Sequence, residues 1–296
     1  PIGILFCFHL FPFHELLKPH PSLFIKEFFH FKNLSVSVKR FIHYVALSLI
    51  PKISRKYVIY KRRIPYQYAD KIVFLSKKYI SSYAAGLAVK VDDKFCAIPN
   101  SLTFDFMLDP ADLSKKEKEV LLVARLDEES KKISKALEIW KKIEENGNFP
   151  DWKLTIVGAG PDEEYFKKLA VKLALKSVFF EGRQKPLAYY QRTSLFMMTS
   201  AYEGLPMTLL EAQQMGTVPI AFNSFDSLSD IIEDGYNGII IPNHELELFT
   251  EKLMWLMNNK EEREKMALNG LQSCQRFSIE NVTHEWINLF ESLARK

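Results

Sequence analysis

The sequence predicts an α/β protein with parallel sheets, organised as two Rossmann-like domains. At 296 residues the chain is long enough for two domains of the usual ~100–200 residues each. From about Lys116 onward, short apolar runs alternate with segments of helical periodicity, an order typical of parallel strands joined by crossover helices. Most of these runs are flanked by Gly, Pro, Asn or Asp, which favour turns.

The elements follow a regular order. The segment 130–145 has apolar residues at helical spacing, so we predict a helix with one buried face. A second helix is predicted over 162–174, and Ser278 is a candidate N-cap for a final amphipathic helix. In such sheets ligands bind beyond the carboxyl ends of the strands. The predicted strands are 120–124, 153–157, 177–180, 195–199, 218–222 and 238–241.

The most informative segment is Glu203-Gly-Leu-Pro-Met-Thr-Leu-Leu-Glu211, in which two carboxylates flank a Gly-Leu-Pro turn. Pro206 suits the first turn of a helix, which places Glu203 in the preceding loop and Glu211 about one turn in. Backbone N–H groups at a helix start attract phosphate, and carboxylates accept hydrogen bonds from sugar hydroxyls. The segment therefore indicates a nucleotide-sugar pocket. The alternative is an ordinary amphipathic helix with both carboxylates solvated.

Two cations precede this segment. Arg125 ends a predicted strand, and Lys131 lies six residues further on, with Lys132 as an alternative. A planar guanidinium and an ammonium together can neutralise a diphosphate. A solvated lysine and an arginine paired with a nearby acid are the competing interpretation. Gly158 and Gly160 follow the next strand and permit either close approach to a ligand or a plain turn.

The chain resembles the retaining glycosyltransferases of family 4, which carry a Glu-x7-Glu signature on the two-domain GT-B fold. The resemblance extends from about Tyr68 to Glu291 and depends on blocks that occur in the family's order. Besides the 203–211 segment, they are Tyr68-Ala-Asp-Lys-Ile-Val-Phe-Leu-Ser76, Ala97-Ile-Pro-Asn-Ser101, Leu121-Leu-Val-Ala-Arg-Leu-Asp127, Leu154-Thr-Ile-Val-Gly-Ala-Gly-Pro161, Val178-Phe-Phe-Glu-Gly182 and Gly235-Tyr-Asn-Gly-Ile-Ile-Ile-Pro242.

The resemblance implies a division into domains. Residues 1–100 correspond to part of an N-terminal acceptor-side domain, whose last strand is expected near Tyr68–Ser76. Residues 101–277 correspond to the C-terminal donor-binding domain, and residues 278–296 to a helix that crosses back. The glycine-rich loop that normally opens the N-terminal domain has no counterpart before Tyr68. We therefore expect the first strands of that domain to be missing from this chain.

The resemblance also implies roles for single residues. Glu203 would bind a hydroxyl of the transferred sugar, Glu211 the ribose hydroxyls, and Arg125 with Lys131 the donor diphosphate. His9 falls in a loop that lies close to the sugar in related enzymes, although a lone histidine after a strand is more often a core or turn residue. The nucleotide is expected to contact Gly158, Gly160, Gly182, Arg183, Gly204, Leu205, Met207 and Thr208 as well.

The implied reaction is metal-independent transfer, with retention, from a nucleoside diphosphate sugar such as a UDP-sugar to a glycan or lipid-linked glycan. The sequence has no Asp-x-Asp triplet to hold a divalent metal under the diphosphate, and we expect no cofactor. The setting would be bacterial surface-polysaccharide assembly. Two alternatives stay open: a catalytically silent nucleotide-sugar-binding fragment, and a UDP-sugar epimerase of the same fold.

Charge is unevenly distributed along the chain. Residues 1–100 hold 16 Lys and Arg against 5 Asp and Glu, a net of +11, whereas residues 101–296 hold 24 against 31, a net of −7. Basic and aromatic residues interleave between Lys52 and Arg63, a pattern compatible with an anionic membrane surface or a solvated face. No nucleic-acid-binding motif accompanies it. Three scattered cysteines indicate reduced thiols, so we expect a cytoplasmic protein, with peripheral contact to the inner membrane face as an option.

Overall fold

A computed structural model of the protein describes residues 5–8 and 51–295, with side chains from residue 58 onward. The described residues form two compact units. One contains the residues up to Ile98 together with those from Phe290 onward, and the other is Pro99–Leu289.

The first unit contains a three-stranded parallel sheet in the order β1-β2-β3. Aromatic and aliphatic side chains, including Ile72, Phe74 and Tyr83, form its core. The expectation that the strand near Tyr68–Ser76 is the last of this sheet is wrong, because β3 follows it in sequence. The elements are β1 (Leu5–Phe8), α1 (Pro51–Tyr68), β2 (Lys71–Phe74), α2 (Lys78–Leu87) and β3 (Phe95–Ala97).

The second unit is built on a six-stranded sheet in the order β6-β5-β4-β7-β8-β9, and all its pairs are parallel. This is the doubly wound arrangement in which the strand order reverses between the first and fourth strands of the domain, here β4 and β7. The strands are β4 (Glu117–Val123), β5 (Lys153–Val157), β6 (Val178–Gly182), β7 (Thr193–Met198), β8 (Val218–Asn223) and β9 (Ile239–Pro242).

All six predicted strands are present, with ends displaced by up to three residues. The central strand β7 is buried at every position because neighbouring strands and the covering helices enclose it. Apolar side chains that the sequence placed on one face of the 130–145 segment, such as Ile133, Leu137 and Trp140, are buried. The helices are α3 (Glu128–Lys131), α4 (Ile133–Asn146), α5 (Glu163–Lys172), α6 (Leu187–Arg192), α7 (Met207–Gln214), α8 (Leu246–Asn258), α9 (Lys260–Cys274) and α10 (Ile279–Ala294).

The single helix predicted over 130–145 is wrong at its start. The Asp127 carboxylate accepts a hydrogen bond from the Ser130 amide at 3.1 Å, which begins a helix of one turn. Lys132 then adopts the left-handed conformation with φ of 50° and ends α3, and α4 begins at Ile133. Pro206 is likewise not helical but extended, one residue before α7 begins.

The final helix α10 begins directly after Ser278, whose hydroxyl accepts a hydrogen bond from the Asn281 amide at 3.3 Å. The predicted N-cap is therefore in place. Within the described residues, no helix is long and apolar enough to span a membrane.

Candidate functional site

A cavity opens at the carboxyl ends of β4 and β7, where the strand order of the larger sheet reverses. Its volume is about 280 Å³, just below the ~300–1,000 Å³ typical of small-molecule sites. Apolar strand residues form its base, and charged and polar groups surround it. Its lining comprises Leu122, Val123, Ala124, Arg125, Lys131, Phe196, Met197, Met198, Thr199, Ser200, Glu203, Leu205, Pro206, Met207 and Thr208.

Six of the lining residues were predicted from the sequence to contact the donor: Arg125, Lys131, Glu203, Leu205, Met207 and Thr208. Arg125 is solvent-exposed, two residues after β4 ends. Lys131 is the last residue of α3. Lys132 is absent from the lining of this cavity, so the geometry favours Lys131 over Lys132 as the second cation.

Lys131 and Glu203 form an ion pair across the cavity wall. The Lys131 Nζ lies 2.5 Å from the Glu203 Oε1, and the two side chains are only 23% and 15% exposed. The loop after β7 is held against α3 by two further hydrogen bonds. The Ala201 amide donates to the Ser130 carbonyl at 2.8 Å, and the Thr199 hydroxyl donates to the Lys131 carbonyl at 2.9 Å. The pair is therefore fixed by backbone as well as side chains.

Gly158 and Gly160 allow the loops after β4 and β5 to lie against one another. The Leu126 amide donates to the Ala159 carbonyl at 3.2 Å, and the Asp162 amide donates to the Leu126 carbonyl at 3.0 Å. A Cβ on Gly158 would overlap the Ala124 carbonyl, and one on Gly160 would overlap the Leu126 carbonyl. These glycines thus support the loop that carries Arg125, and neither lines the cavity.

The start of α7 forms one wall of the cavity through Pro206, Met207 and Thr208. Because the first amides of a helix lack intrahelical acceptors, they can donate to an anion. The preceding Gly204 is buried, and its carbonyl accepts a hydrogen bond from the Ser227 hydroxyl at 2.6 Å. This contact anchors the turn between Glu203 and α7 to the segment that follows β8.

Glu211 lies in the second turn of α7 and is buried, with 9% of its surface exposed. It does not line the cavity. Burial and the neighbouring Glu211 carboxylate raise the pKa of the fully buried Tyr190 well above its ordinary value. Tyr190 therefore stays a protonated phenol next to the carboxylate.

Tyr202 adds a neutral hydroxyl next to Glu203 in the chain. Burial and the carboxylates of Glu129, Asp127 and Glu203 raise the pKa of Tyr202 above its ordinary value. The phenol is therefore protonated at neutral pH, and Tyr202 is not part of the cavity lining.

The remaining predicted residues lie elsewhere. The carbonyl of Gly182, the last residue of β6, accepts a hydrogen bond from the Gly158 amide at 2.7 Å. Arg183 is solvent-exposed and is not part of the cavity lining. His9 lies outside the described residues. No group of three or more His, Cys, Asp or Glu within the described part of the chain is arranged to hold a metal ion.

Sequence reasoning missed two residues that shape this site. Thr199 lines the cavity and fixes the carbonyl of Lys131, and Asp127 caps the one-turn helix that carries Lys131. The Asp-Glu-Glu-Ser order, a capping residue three positions before a serine, was a signal for this short helix. Thr199 had no comparable signal, because its partner lies 68 positions away in the sequence.

The strand order of the larger sheet and the position of this cavity define a fold class, the GT-B architecture. The HepE protein of Anabaena, solved in complex with UDP, superposes with a TM-score of 0.72 at 15% identity. The superposition covers 98% of this chain and 72% of that one. The GT-B fold expected from the sequence is thereby confirmed.

The family described as Glycosyl transferases group 1 matches residues 105–273, and the chain belongs to this family. The amylovoran biosynthesis glycosyltransferase AmsD of Erwinia amylovora is 31% identical over 229 residues, which are 75% of this chain and 62% of that protein. An α-1,4-N-acetyl-D-galactosaminyltransferase of Campylobacter jejuni, named for an undecaprenol-linked acceptor, is 24% identical over 81% of this chain and 64% of its own length. The chain thus spans less than two thirds of either relative.

Proposed function

We propose that this protein is a retaining, metal-independent glycosyltransferase that moves a sugar from a UDP-sugar to a hydroxyl of a glycan or lipid-linked glycan. The observation that carries the proposal is the cavity between β4 and β7, where Arg125, Lys131 and the start of α7 meet. Two cations and the first amides of α7 suit a diphosphate.

The chemistry would be largely electrostatic. As the bond between the anomeric carbon and the diphosphate breaks, negative charge accumulates on the departing phosphate. The Arg125 guanidinium, the Lys131 ammonium and the first amides of α7 would stabilise that charge. These groups can take over the task that a divalent cation has in other transferases, which is why we propose transfer without metal.

Retention requires the acceptor oxygen to bond to the anomeric carbon on the face that the diphosphate leaves. In the proposed step the acceptor's proton passes to the departing phosphate oxygen, so charge and atoms balance without a protein base. Glu203 would orient the transferred sugar by accepting its hydroxyls. Glu211, which does not line the cavity, would accept those of the ribose on a part of the nucleotide that extends beyond the cavity.

UDP as the donor nucleotide is supported by the HepE structure, which was solved with UDP bound. A polyprenol-linked glycan as the acceptor is supported by the name of the Campylobacter relative. The Erwinia relative is named for amylovoran biosynthesis. We therefore propose a role in bacterial surface-polysaccharide assembly.

An anionic membrane surface is the proposed second partner, and it would be met by helix α1. Tyr60, Ile64 and Tyr68 are spaced four residues apart and are 65%, 42% and 68% exposed, so they lie on one helical face. Lys61 and Arg63 are also exposed. Aromatic side chains and cations on one helix suit the interface of an anionic bilayer.

Calorimetry with UDP and uridine, in the presence of EDTA, tests the proposed donor site. The wild-type chain is expected to bind UDP without divalent metal. Arg125→Ala and Lys131→Ala should each weaken UDP binding by about ten- to a hundredfold, since a hydrogen bond to a charged group contributes about 1.5–3 kcal/mol. Neither change should alter uridine binding. Lys132→Ala is the matched control and should leave UDP affinity within about twofold.

Loss of UDP binding on chelation would contradict metal-independent recognition, and an equal loss of uridine and UDP binding would indicate damage to the fold. Turnover separates the remaining alternatives. Release of UDP only in the presence of a glycan acceptor supports transfer. Recovery of an epimerised UDP-sugar without release identifies an epimerase, and binding without turnover identifies a silent nucleotide-sugar-binding protein.

A further inference from the structure

The ion pair between Lys131 and Glu203 links the two chemical tasks of the proposed site. Lys131 belongs to the group that would neutralise the diphosphate, whereas Glu203 would accept hydroxyls of the sugar. The two side chains are 2.5 Å apart and mostly shielded from solvent. At this distance and burial their interaction is stronger than that of an exposed surface pair.

The surrounding backbone keeps the two residues together irrespective of their side chains. The Ser130 and Lys131 carbonyls accept hydrogen bonds from the Ala201 amide and the Thr199 hydroxyl. The loop after β7 and the one-turn helix α3 therefore stay joined while the Lys131 side chain changes partner. The exchange of the Lys131 ion-pair partner therefore requires only that the side chains of Lys131 and Glu203 rotate.

We infer that Glu203 is the resident counter-ion of Lys131 in the donor-free protein, and that donor binding exchanges it for the diphosphate. This inference rests on the proposed function. The ammonium moves from the Glu203 carboxylate to the donor phosphates. The released carboxylate then accepts hydrogen bonds from the hydroxyls of the transferred sugar. Glu203 is thus a positioning and exchange residue as well as a sugar contact.

The exchange discriminates between the intact donor and the spent nucleotide. An intact UDP-sugar supplies a phosphate for Lys131 and hydroxyls for Glu203, so new contacts replace the broken ion pair on both sides. UDP supplies only the phosphate, so it does not compensate the shielded Glu203 carboxylate for the loss of its contact with Lys131. Glu203 therefore competes with UDP for Lys131 and favours release of the spent nucleotide after transfer.

Calorimetric titration of the full chain with UDP tests the exchange. Glu203→Gln keeps the shape of the side chain and removes its charge, so UDP is expected to bind about three- to tenfold more tightly. Uridine, which lacks phosphate, should bind as it does to the wild type. Glu129→Gln removes the same charge from α3, where no ion pair to Lys131 is formed, and should change UDP affinity by less than about twofold.

Glu203→Gln in a Lys131→Met background distinguishes the exchange of partners at Lys131 from direct repulsion between the Glu203 carboxylate and the phosphates of UDP. If Glu203 acts through Lys131, Glu203→Gln gives no gain in UDP affinity once the ammonium is gone. An equal gain in both backgrounds, or unchanged or weaker UDP binding by the single variant, overturns the inference. A wild-type chain that binds no UDP removes the proposed function, and the inference with it. A UDP-binding wild type whose Glu203→Gln variant binds no tighter overturns the exchange alone.

Discussion

Glu119 is the most fully buried carboxylate among the described residues that form ion pairs, and it lies on the central strand β4. None of its side-chain surface is exposed. Arg192 donates to it from Nε at 2.8 Å and from Nη2 at 3.0 Å, the Thr155 hydroxyl donates to it, and the Lys153 Nζ lies 3.3 Å away. A buried charge is tolerated only when it is paired and hydrogen-bonded in this way.

Acid should weaken this arrangement. Burial would raise the pKa of Glu119, but the hydrogen bonds from Arg192 and Thr155 outweigh it and hold the pKa below the ordinary value of 4.5. When folding lowers the pKa of a carboxyl group, its ionised form stabilises the folded protein at pH values above the pKa of the unfolded state. This stabilisation is lost as the pH falls through the pKa of the folded state. We expect Glu119→Gln to lower the free energy of unfolding by about 1–3 kcal/mol at neutral pH, and to flatten its loss in acid.

Urea unfolding of the wild type and the variant at about pH 7 and pH 4 measures both effects. Glu117→Gln is the matched control, because Glu117 lies on the same strand and pairs with the same Lys153 at 3.3 Å but is exposed. It should change the free energy of unfolding by at most about 0.5 kcal/mol. Parallel pH dependences for wild type and Glu119→Gln would contradict the assignment.

At the scale of elements, the site depends on two loops that interlock through their backbones. The loop 124–127 carries Arg125, and the loop 158–162 lies against it with carbonyls and glycines in close approach. Because the obstacle to a Cβ on Gly160 is the backbone carbonyl of Leu126, no side-chain rotation can relieve it. An added methyl group must therefore displace the loop that holds the cation.

Gly160→Ala is expected to weaken UDP binding at least about tenfold and to destabilise the fold by about 1–3 kcal/mol. Gly147→Ala is the control. Gly147 ends α4 with φ of 76°, and a Cβ there would meet no atom within 4 Å. It should cost about 1 kcal/mol through backbone strain and leave UDP affinity unchanged. Stability comes from chemical unfolding and affinity from calorimetry. A Gly160→Ala variant with unaltered UDP affinity would show that the contact between the loops 124–127 and 158–162 does not hold Arg125 in place.

At the scale of the whole molecule, the charge asymmetry of the sequence supports the proposed contact with an anionic bilayer. The first 100 residues carry a net charge of +11 and the rest −7. Anionic vesicles of phosphatidylglycerol with phosphatidylcholine should therefore bind the protein in a salt-dependent manner. Lys61→Glu on α1 changes the charge by two units and should weaken vesicle binding roughly thirtyfold, given about 1 kcal/mol for each unit of charge near such a surface.

Vesicle co-sedimentation measures this binding. Lys172→Glu on α5, an exposed position in the negatively charged part of the chain, is the control and should have little effect. Tyr60→Ser tests the aromatic contribution separately and should weaken binding without changing its salt dependence. Equal binding to neutral phosphatidylcholine vesicles, or equal losses for Lys61→Glu and Lys172→Glu, would contradict a specific basic face.

The sequence by itself determined the alternation of strands and helices, because apolar periodicity and turn residues act locally. It also determined that Arg125 and Glu203 follow strand ends. It left open whether Lys131 or Lys132 lies at the predicted donor site. The two residues are adjacent, and the backbone angles that direct their side chains cannot be read from the sequence. Only the tertiary structure shows that Lys131, and not Lys132, lines the cavity, because Lys132 adopts the left-handed conformation and the loop after β7 contacts Lys131. The Lys131–Glu203 pair joins residues 72 positions apart, and such contacts depend on the strand order, which no local pattern specifies.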